Sequence, residues 1–248
     1  MQIVQISDLH VGSQFLQEKF DILVEEVNEL NPDVIIITGD LTNEGLMKEY
    51  EQCKLLLKKF NTKKIITISG NHDYRNTGYL LFKKFFPFET VNELSDDVVL
   101  VTVGTARPDR NEGEVGYRQN LWLERTMKKY KEKVKIVAMH HHLIAIPDTG
   151  SDQLTVVDAG DVLRTVLDSK VDVVLCGHKH RPWAWNFGAL TVVNAGTATS
   201  ERVRGFFEHT YNILTITNKT VQVDLKIVGG KRLPIEEIVN NYSQFGDA

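Results

Sequence analysis

The sequence predicts an α/β fold in which apolar strands alternate with amphipathic helices and give way, past residue 180, to antiparallel hairpins. Three observations predict it. Five runs, Ile3-Val4-Gln5-Ile6, Val34-Ile35-Ile36-Ile37, Ile65-Ile66-Thr67-Ile68, Val134-Lys135-Ile136-Val137-Ala138 and Val171-Asp172-Val173-Val174-Leu175, are apolar almost throughout, as strands buried on both faces are. The segments between them repeat apolar residues at helical spacing. Each of the five runs also leads directly into a short loop carrying Asp, Asn or His, at the carboxyl end of a strand, where open α/β sheets place their chemistry.

In chain order, the first strand ends at Asp8-Leu9-His10-Val11-Gly12-Ser13. Phe15 to Leu30 follows as a helix with Phe20, Leu23, Val24, Val27 and Leu30 on one stripe, stopped by Asn31-Pro32. The strand Val34 to Thr38 delivers Gly39-Asp40-Leu41-Thr42-Asn43. A helix from about Glu44 to Phe60 turns Tyr50, Cys53, Leu56, Leu57 and Phe60 inward and its lysines and glutamates outward. The third strand ends at Gly70-Asn71-His72-Asp73. In the stretch Thr77 to Val91, the aromatics Tyr79, Phe82, Phe85, Phe86 and Phe88 read as core packing around a short helix.

A strand over Asp97 to Val103 leads into the loop Gly104 to Tyr117, which holds Arg107 and Arg110 and is long enough to be functional. Helix Gln119 to Lys131 precedes the strand that ends in His140-His141-His142. The polar loop Ile146 to Thr155 and helix Val157 to Ser169 return the chain to the fifth strand and Gly177-His178-Lys179-His180. Trp183 to Phe187, Leu190 to Asn194, Tyr211 to Thr217 and Thr220 to Ile227 read as hairpin strands, and Pro234 to Tyr242 as a terminal helix. No repeat or linker interrupts residues 1–248, which predicts one domain, with the loop motifs inside 8–180 and a strand-rich tail over 183–248.

Composition narrows the class. A 42% hydrophobic fraction supplies a packed core, and a net charge of −4 gives no bulk attraction to nucleic acid or an anionic membrane. No apolar run approaches the roughly 18 residues of a membrane span. Cys53 and Cys176 read as free thiols of a reducing compartment. Met1 runs straight into the first strand, so no cleavable signal peptide is expected, and the expected location is cytoplasmic.

The chemistry lies in the loops. Asp8, His10, Asp40, Asn71, His140, His178 and His180 together offer imidazole nitrogens, carboxylate oxygens and an amide oxygen. One Asp-x-His alone is weak evidence, but seven of the eight histidines fall in these loops. A mixed N/O set suits Mn, Fe or Zn. Seven ligands exceed one tetrahedral ion and match two divalent ions that share a carboxylate and keep room for water or substrate. Arg75, and Arg202 or Arg204 near Gly196-Thr197, could clamp a phosphate or a base.

Asp8-x-His10, Gly39-Asp40, Gly70-Asn71-His72-Asp73, His140 at a strand end and Gly177-His178-x-His180 resemble, in order, the five signature motifs of the calcineurin-like metallophosphoesterase superfamily, over about residues 1 to 200. The resemblance implies a four-layer β-sandwich flanked by helices. It implies that Asp8, His10, Asp40 and His180 hold one ion, and Asp40, Asn71, His140 and His178 the other. His72 would stabilise the phosphoryl group or protonate the leaving oxygen, with Asp73 fixing its ring, while a hydroxide shared by the ions attacks phosphorus in line. Asn71, His72 and Arg75 would contact substrate. His140 is preferred as first past its strand, with His141 and His142 as substitutes.

Asn43 stands where purple acid phosphatases have a tyrosine ligand, so no iron-tyrosinate chromophore is expected. Asp73 stands where phosphoprotein phosphatases have glutamate. The chain is most similar to the class III cyclic-nucleotide phosphodiesterase-like group, although Leu143 replaces a proline common there. The resemblance therefore implies a phosphodiesterase acting on small phosphoesters, 3′,5′-cyclic nucleotides first. Alternatives are a phosphomonoesterase, a nuclease resembling the repair enzymes whose opening motif is similar to Ser7-Asp8-Leu9-His10-Val11-Gly12, and a non-catalytic scaffold. Nucleic acid enters only as a substrate, and the hairpin region after Gly196 could pair two chains as a homodimer.

Overall fold

The computed structural model describes residues 1–86, 90–150, 155–206 and 208–240. Phe88, part of the loop Ile146 to Thr155, and the end of the terminal helix at Tyr242 lie outside the described residues. Two six-stranded sheets form the centre. The first has the order β12-β11-β10-β1-β2-β3, from β1 (Gln2–Ile6), β2 (Val34–Ile37), β3 (Ile65–Thr67), β10 (Thr210–Thr217), β11 (Thr220–Ile227) and β12 (Arg232–Pro234). The second has the order β4-β5-β6-β7-β9-β8, from β4 (Val91–Glu93), β5 (Val98–Thr102), β6 (Val134–Ala138), β7 (Val173–Cys176), β8 (Trp183–Phe187) and β9 (Leu190–Asn194).

Alternation along the strands explains how the layers stack, since successive side chains point to opposite faces. Ile3, Val34, Ile36 and Ile66 of the first sheet meet Val98, Leu100, Ile136, Ala138, Val173 and Leu175 of the second in one apolar cluster. Their neighbours Val4, Ile6, Ile35 and Ile37 face the other way, onto Phe20, Leu23 and Val27 of α1 (Gln17–Leu30), Tyr50, Cys53 and Leu57 of α2 (Met47–Leu57) and Phe82 of α3 (Gly78–Phe85). Val99, Val101, Val137 and Val174 pack on Leu123 and Met127 of α4 (Tyr117–Met127) and on Val162 and Val166 of α5 (Ala159–Asp168). The result is the expected helix–sheet–sheet–helix sandwich. Both cysteines are free and buried, as the sequence predicts.

β1, β2 and β3 are mutually parallel, and so are β5, β6, β7 and β9, so the carboxyl ends of the ligand-bearing strands lie together at one end of each sheet. α1 stops as predicted: Asn31 takes a left-handed φ of 47° and its N–H donates to the Val27 carbonyl, and Pro32 cannot continue the helix. α2 starts at Met47, later than expected, because the Glu49 carboxylate accepts the backbone N–H groups of Glu44 and Leu46 and holds the preceding turn open. α4 starts earlier than expected, at Tyr117, where the Asp158 carboxylate caps the Val115 and Gly116 N–H groups at 3.0 and 2.7 Å.

The hairpins divide between the sheets. β8 and β9 join the second sheet, with β9 parallel to β7, while β10 pairs antiparallel with β1. The turn between β10 and β11 uses Asn218 and Lys219, both left-handed, a conformation that matches the strand twist. The hairpin that the sequence marks as a possible pairing edge lies inside the first sheet, and β12 is the strand at that edge. α6 (Ile235–Asn240) closes the described chain. No helix among the described residues is long and apolar enough to cross a membrane.

Candidate metal centre

The loops at the carboxyl ends of β1, β2, β3, β6 and β7 converge. Asp8 and His10 donate backbone N–H bonds to the Gly39 and Asp40 carbonyls at 3.1 and 2.9 Å, and Gly177 donates to the His140 carbonyl at 2.8 Å. Asp8, His10, Asp40, His178 and His180 all have φ between 50° and 77°. Left-handed backbone at non-glycine residues costs about 1–3 kcal/mol each and persists where surrounding structure imposes it, characteristically at functional sites. The sharp turns let consecutive motif residues point into one space rather than to opposite faces.

Each carboxylate is half tied and half presented. Asp8 Oδ2 accepts the Ser7 hydroxyl at 2.5 Å and the His178 N–H at 3.0 Å. Among the described residues no hydrogen-bond partner meets its Oδ1, which lies 3.3 Å from His180 Nε2. Asp40 Oδ1 accepts the His72 backbone N–H at 2.8 Å, while Oδ2 lies 3.6 Å from His10 Nε2 and 3.4 Å from His140 Nε2. Asp40 therefore stands between histidines delivered by different sheets. The motif glycines permit this approach: a Cβ at Gly70 would sit 2.1 Å from Asp40 Oδ1, and one at Gly177 would sit 2.0 Å from Ser7 Oγ.

The imidazoles are oriented from behind. His140 Nδ1–H donates to the Thr38 carbonyl at 2.8 Å, which leaves the Nε2 lone pair facing inward. His180 Nδ1–H donates to the Arg202 carbonyl, and its Nε2 lies 2.9 Å from His10 Nε2. Asn71 Oδ1 sits 3.1 Å from His140 Nε2 and 2.9 Å from His178 Nδ1. Imidazole nitrogens, carboxylate oxygens and an amide oxygen thus converge across short distances, a mixed N/O donor set of the kind that divalent ions take. The donor set fits divalent ions and all seven predicted ligands are brought together.

Electrostatics agree. Burial and the His180 charge push His10 down to about 3, and burial with its neighbouring histidines holds His178 well below its usual value, so both present neutral nitrogens. Burial opposes ionisation of Asp40, but His140, His72 and His10 outweigh it and hold its carboxyl well below the usual range. Burial also opposes a charge on His140, yet Asp40 and Asp8 raise it from 6.5 to about 9 when no metal competes. A raised histidine pKa contributes stability that is complete below pH 6.5 and fades as pH rises to about 9. Chelator-stripped protein is therefore expected to lose melting temperature between pH 6.5 and about 9, with Mn²⁺-loaded protein nearly flat over that range. Equal, flat profiles would contradict this arrangement.

The three consecutive histidines separate cleanly. His141 spends both ring nitrogens, on the Thr105 hydroxyl at 2.7 Å and the Asn111 carbonyl at 3.1 Å, and so braces the 104–117 loop. His142 stacks on His178, with no polar partner for either nitrogen among the described residues. Only His140 faces Asp40 and Asn71 directly.

His72 is brought to the site but its ring is held differently from expectation. Its Nδ1–H donates to the Asn43 carbonyl at 2.7 Å, and Nε2 accepts from Arg75 Nη2 at 3.0 Å. The Asp73 carboxylate does not touch the ring. It accepts the N–H groups of Leu41, Thr42 and Gly70 and the Thr42 hydroxyl, pinning the β2 and β3 loops together. A buried carboxylate so placed is better used by several fixed donors than by one ring nitrogen. Asp73 is a positioning residue.

Asp40, Asn71, His72, His178 and His180 line a cavity of about 110 Å³ whose outer wall is Arg75, Asn111, Arg202 and Arg204. Arg107 and Arg110 do not reach it; they pair with Glu114 and Glu112. Asn111, which accepts from Asn71 Nδ2 at 3.4 Å, escaped the sequence reading because nothing local distinguishes it.

The family model for calcineurin-like phosphoesterases matches residues 1–182. The chain is 27% identical over 218 residues to a "Probable glycerophosphodiester phosphodiesterase GpdQ" of Arcobacter nitrofigilis, covering 81% of this chain and 80% of that one. It is 25% identical to a "Probable cyclic nucleotide phosphodiesterase" of Vesicomyosocius okutanii, covering 72% and 78%. A dimetal phosphatase from Danio rerio shares the fold with a TM-score of 0.73 at 10% identity, over 95% of this chain and 98% of that one.

Proposed function

The chain belongs to the calcineurin-like phosphoesterase family, and from that premise we propose that it is a dinuclear metal-dependent phosphodiesterase of small phosphodiesters, with 3′,5′-cyclic nucleotides the first to test. The observation that carries the reading is Asp40 Oδ2, placed 3.6 and 3.4 Å from histidines of the two sheets while its other oxygen is tied to backbone. In this reading Asp8, His10, Asp40 and His180 hold one ion and Asp40, Asn71, His140 and His178 the other, with Mn, Fe and Zn all suited to the donors. The names of the relatives favour diesters over monoesters. Two buried free thiols accord with a cytoplasmic enzyme.

Bound ions would supply Lewis acidity, lowering the pKa of water and neutralising charge on the phosphate oxygens. The residues of the chain do the rest. The Thr38 and Arg202 carbonyls keep two imidazoles aimed inward, so nothing must reorganise as the reaction proceeds. Arg75 lies beside His72 in the cavity lining, within reach of a bound phosphate oxygen in this reading. As water attacks phosphorus and the ester P–O bond breaks, the leaving oxygen needs a proton. His72 would supply it from Nε2 once Arg75 turns from the ring to the phosphate and Nε2 takes a proton from solvent, the Asn43 carbonyl fixing the Nδ1–H throughout.

Side-by-side turnover of 3′,5′-cAMP, bis(p-nitrophenyl) phosphate and p-nitrophenyl phosphate by Mn²⁺-reconstituted protein tests the proposal. Hydrolysis of the two diesters and not the monoester is expected. Monoester turnover alone would make the protein a phosphomonoesterase, and stoichiometric metal without any turnover would make it a scaffold.

A further inference from the structure

Three arginines wall the cavity, and their charges are not equally spent. Arg75 Nη1 pairs with Glu44 Oε1 at 2.7 Å. Neither Arg202 nor Arg204 has an ion-pair or hydrogen-bond partner for its guanidinium among the described residues, although both line the cavity. Arg204 is half-buried. Burial and the adjacent Arg202 charge both disfavour its protonated form, with only Asp8 opposing them. Arg202 is exposed, and two neighbouring guanidinium groups without a counter-charge repel each other, at a cost that is larger for the half-buried Arg204.

The Arg202 backbone is tied to the site. The Arg202 carbonyl accepts from His180 Nδ1, and its N–H donates to Ser200 Oγ at 3.2 Å. The Ser200 N–H in turn donates to Thr197 Oγ1 at 2.9 Å, and that hydroxyl donates to the Asp8 carbonyl at 2.7 Å. The two guanidinium groups thus stand on a turn registered to two proposed metal ligands. A simple phosphodiester brings one negative charge, which bound ions would offset without Arg202 or Arg204.

We infer that Arg202 and Arg204 form a second anion subsite, so that the preferred substrates are phosphodiesters carrying a further phosphate or carboxylate group. This rests on the phosphodiesterase reading and sharpens it, since 3′,5′-cAMP and bis(p-nitrophenyl) phosphate carry no such group.

A matched pair tests it: thymidine 5′-(p-nitrophenyl phosphate) and the same ester bearing a 3′-phosphate, both of which release p-nitrophenolate when water cleaves the 5′ P–O bond. The 3′-phosphorylated ester is expected to show kcat/KM at least about tenfold higher, the scale of one charge-assisted contact. In Arg202→Gln/Arg204→Gln that ratio is expected to fall to about one, while Arg118→Gln on α4 keeps it. Equal kcat/KM for the two esters in the parent would overturn the subsite. If neither ester is cut, the phosphodiesterase reading fails, and calorimetric titration of the Mn²⁺-loaded protein still decides the subsite. Thymidine 3′,5′-bisphosphate binding at least about tenfold tighter than thymidine 5′-monophosphate, with the difference lost in the double variant, supports it, and equal affinity overturns it.

Discussion

Asp40→Ala is expected to abolish diester hydrolysis, by at least about 10³-fold in kcat, and to lower bound Mn²⁺ from two ions per chain to one or none. The size follows from position. Asp40 Oδ2 lies within 3.6 Å of His10 Nε2 and 3.4 Å of His140 Nε2, so in the proposed centre one carboxylate serves both halves. In that assignment every other ligand serves only one half. Asp40 is fully buried among histidines, so its removal also leaves His140 without the partner that sets its charge. Asp40→Asn keeps the shape and the contact to the His72 N–H and separates loss of charge from loss of packing. Elemental analysis with bis(p-nitrophenyl) phosphate turnover measures both effects. Two retained ions in Asp40→Ala would contradict the shared-carboxylate arrangement.

His72→Gln is expected to lower kcat by about 10²–10³-fold on 3′,5′-cAMP, within the usual contribution of a positioned general acid. Metal content should not change, because both ring nitrogens of His72 are used by Asn43 and Arg75, and the backbone N–H that ties Asp40 survives the substitution. The loss should be smaller on bis(p-nitrophenyl) phosphate, whose leaving group departs readily without a proton. Equal losses on both substrates would assign His72 to binding rather than to proton transfer.

The convergence of the seven candidate ligands was legible from sequence because each lies just past an apolar strand, and parallel pairing of β1 with β2, β2 with β3 and β6 with β7 is enough to gather those ends. The layers were legible because alternation assigns Ile3 and Ile36 to one face and Val4 and Ile35 to the other. Ring orientation was not legible. It is set by carbonyls of Thr38, Asn43 and Arg202, and a carbonyl carries no residue-type signal. For the same reason the Thr105 and Asn111 partners of His141, thirty and more residues away, were not legible, and Asp73 was assigned to the ring beside it rather than to Leu41 and Thr42. Three-residue edge strands such as β4 and β12 present too few alternations to read, and the α4 cap comes from Asp158, far along the chain.

The central claim is that seven side chains from two sheets hold two divalent ions across Asp40. Anomalous diffraction from crystals of Mn²⁺-loaded protein tests it most directly. Two peaks are predicted, one against Asp8, His10 and His180, the other against Asn71, His140 and His178, with Asp40 touching both. A single peak, or a second peak bound by His141 or His142 instead of His140, would contradict it.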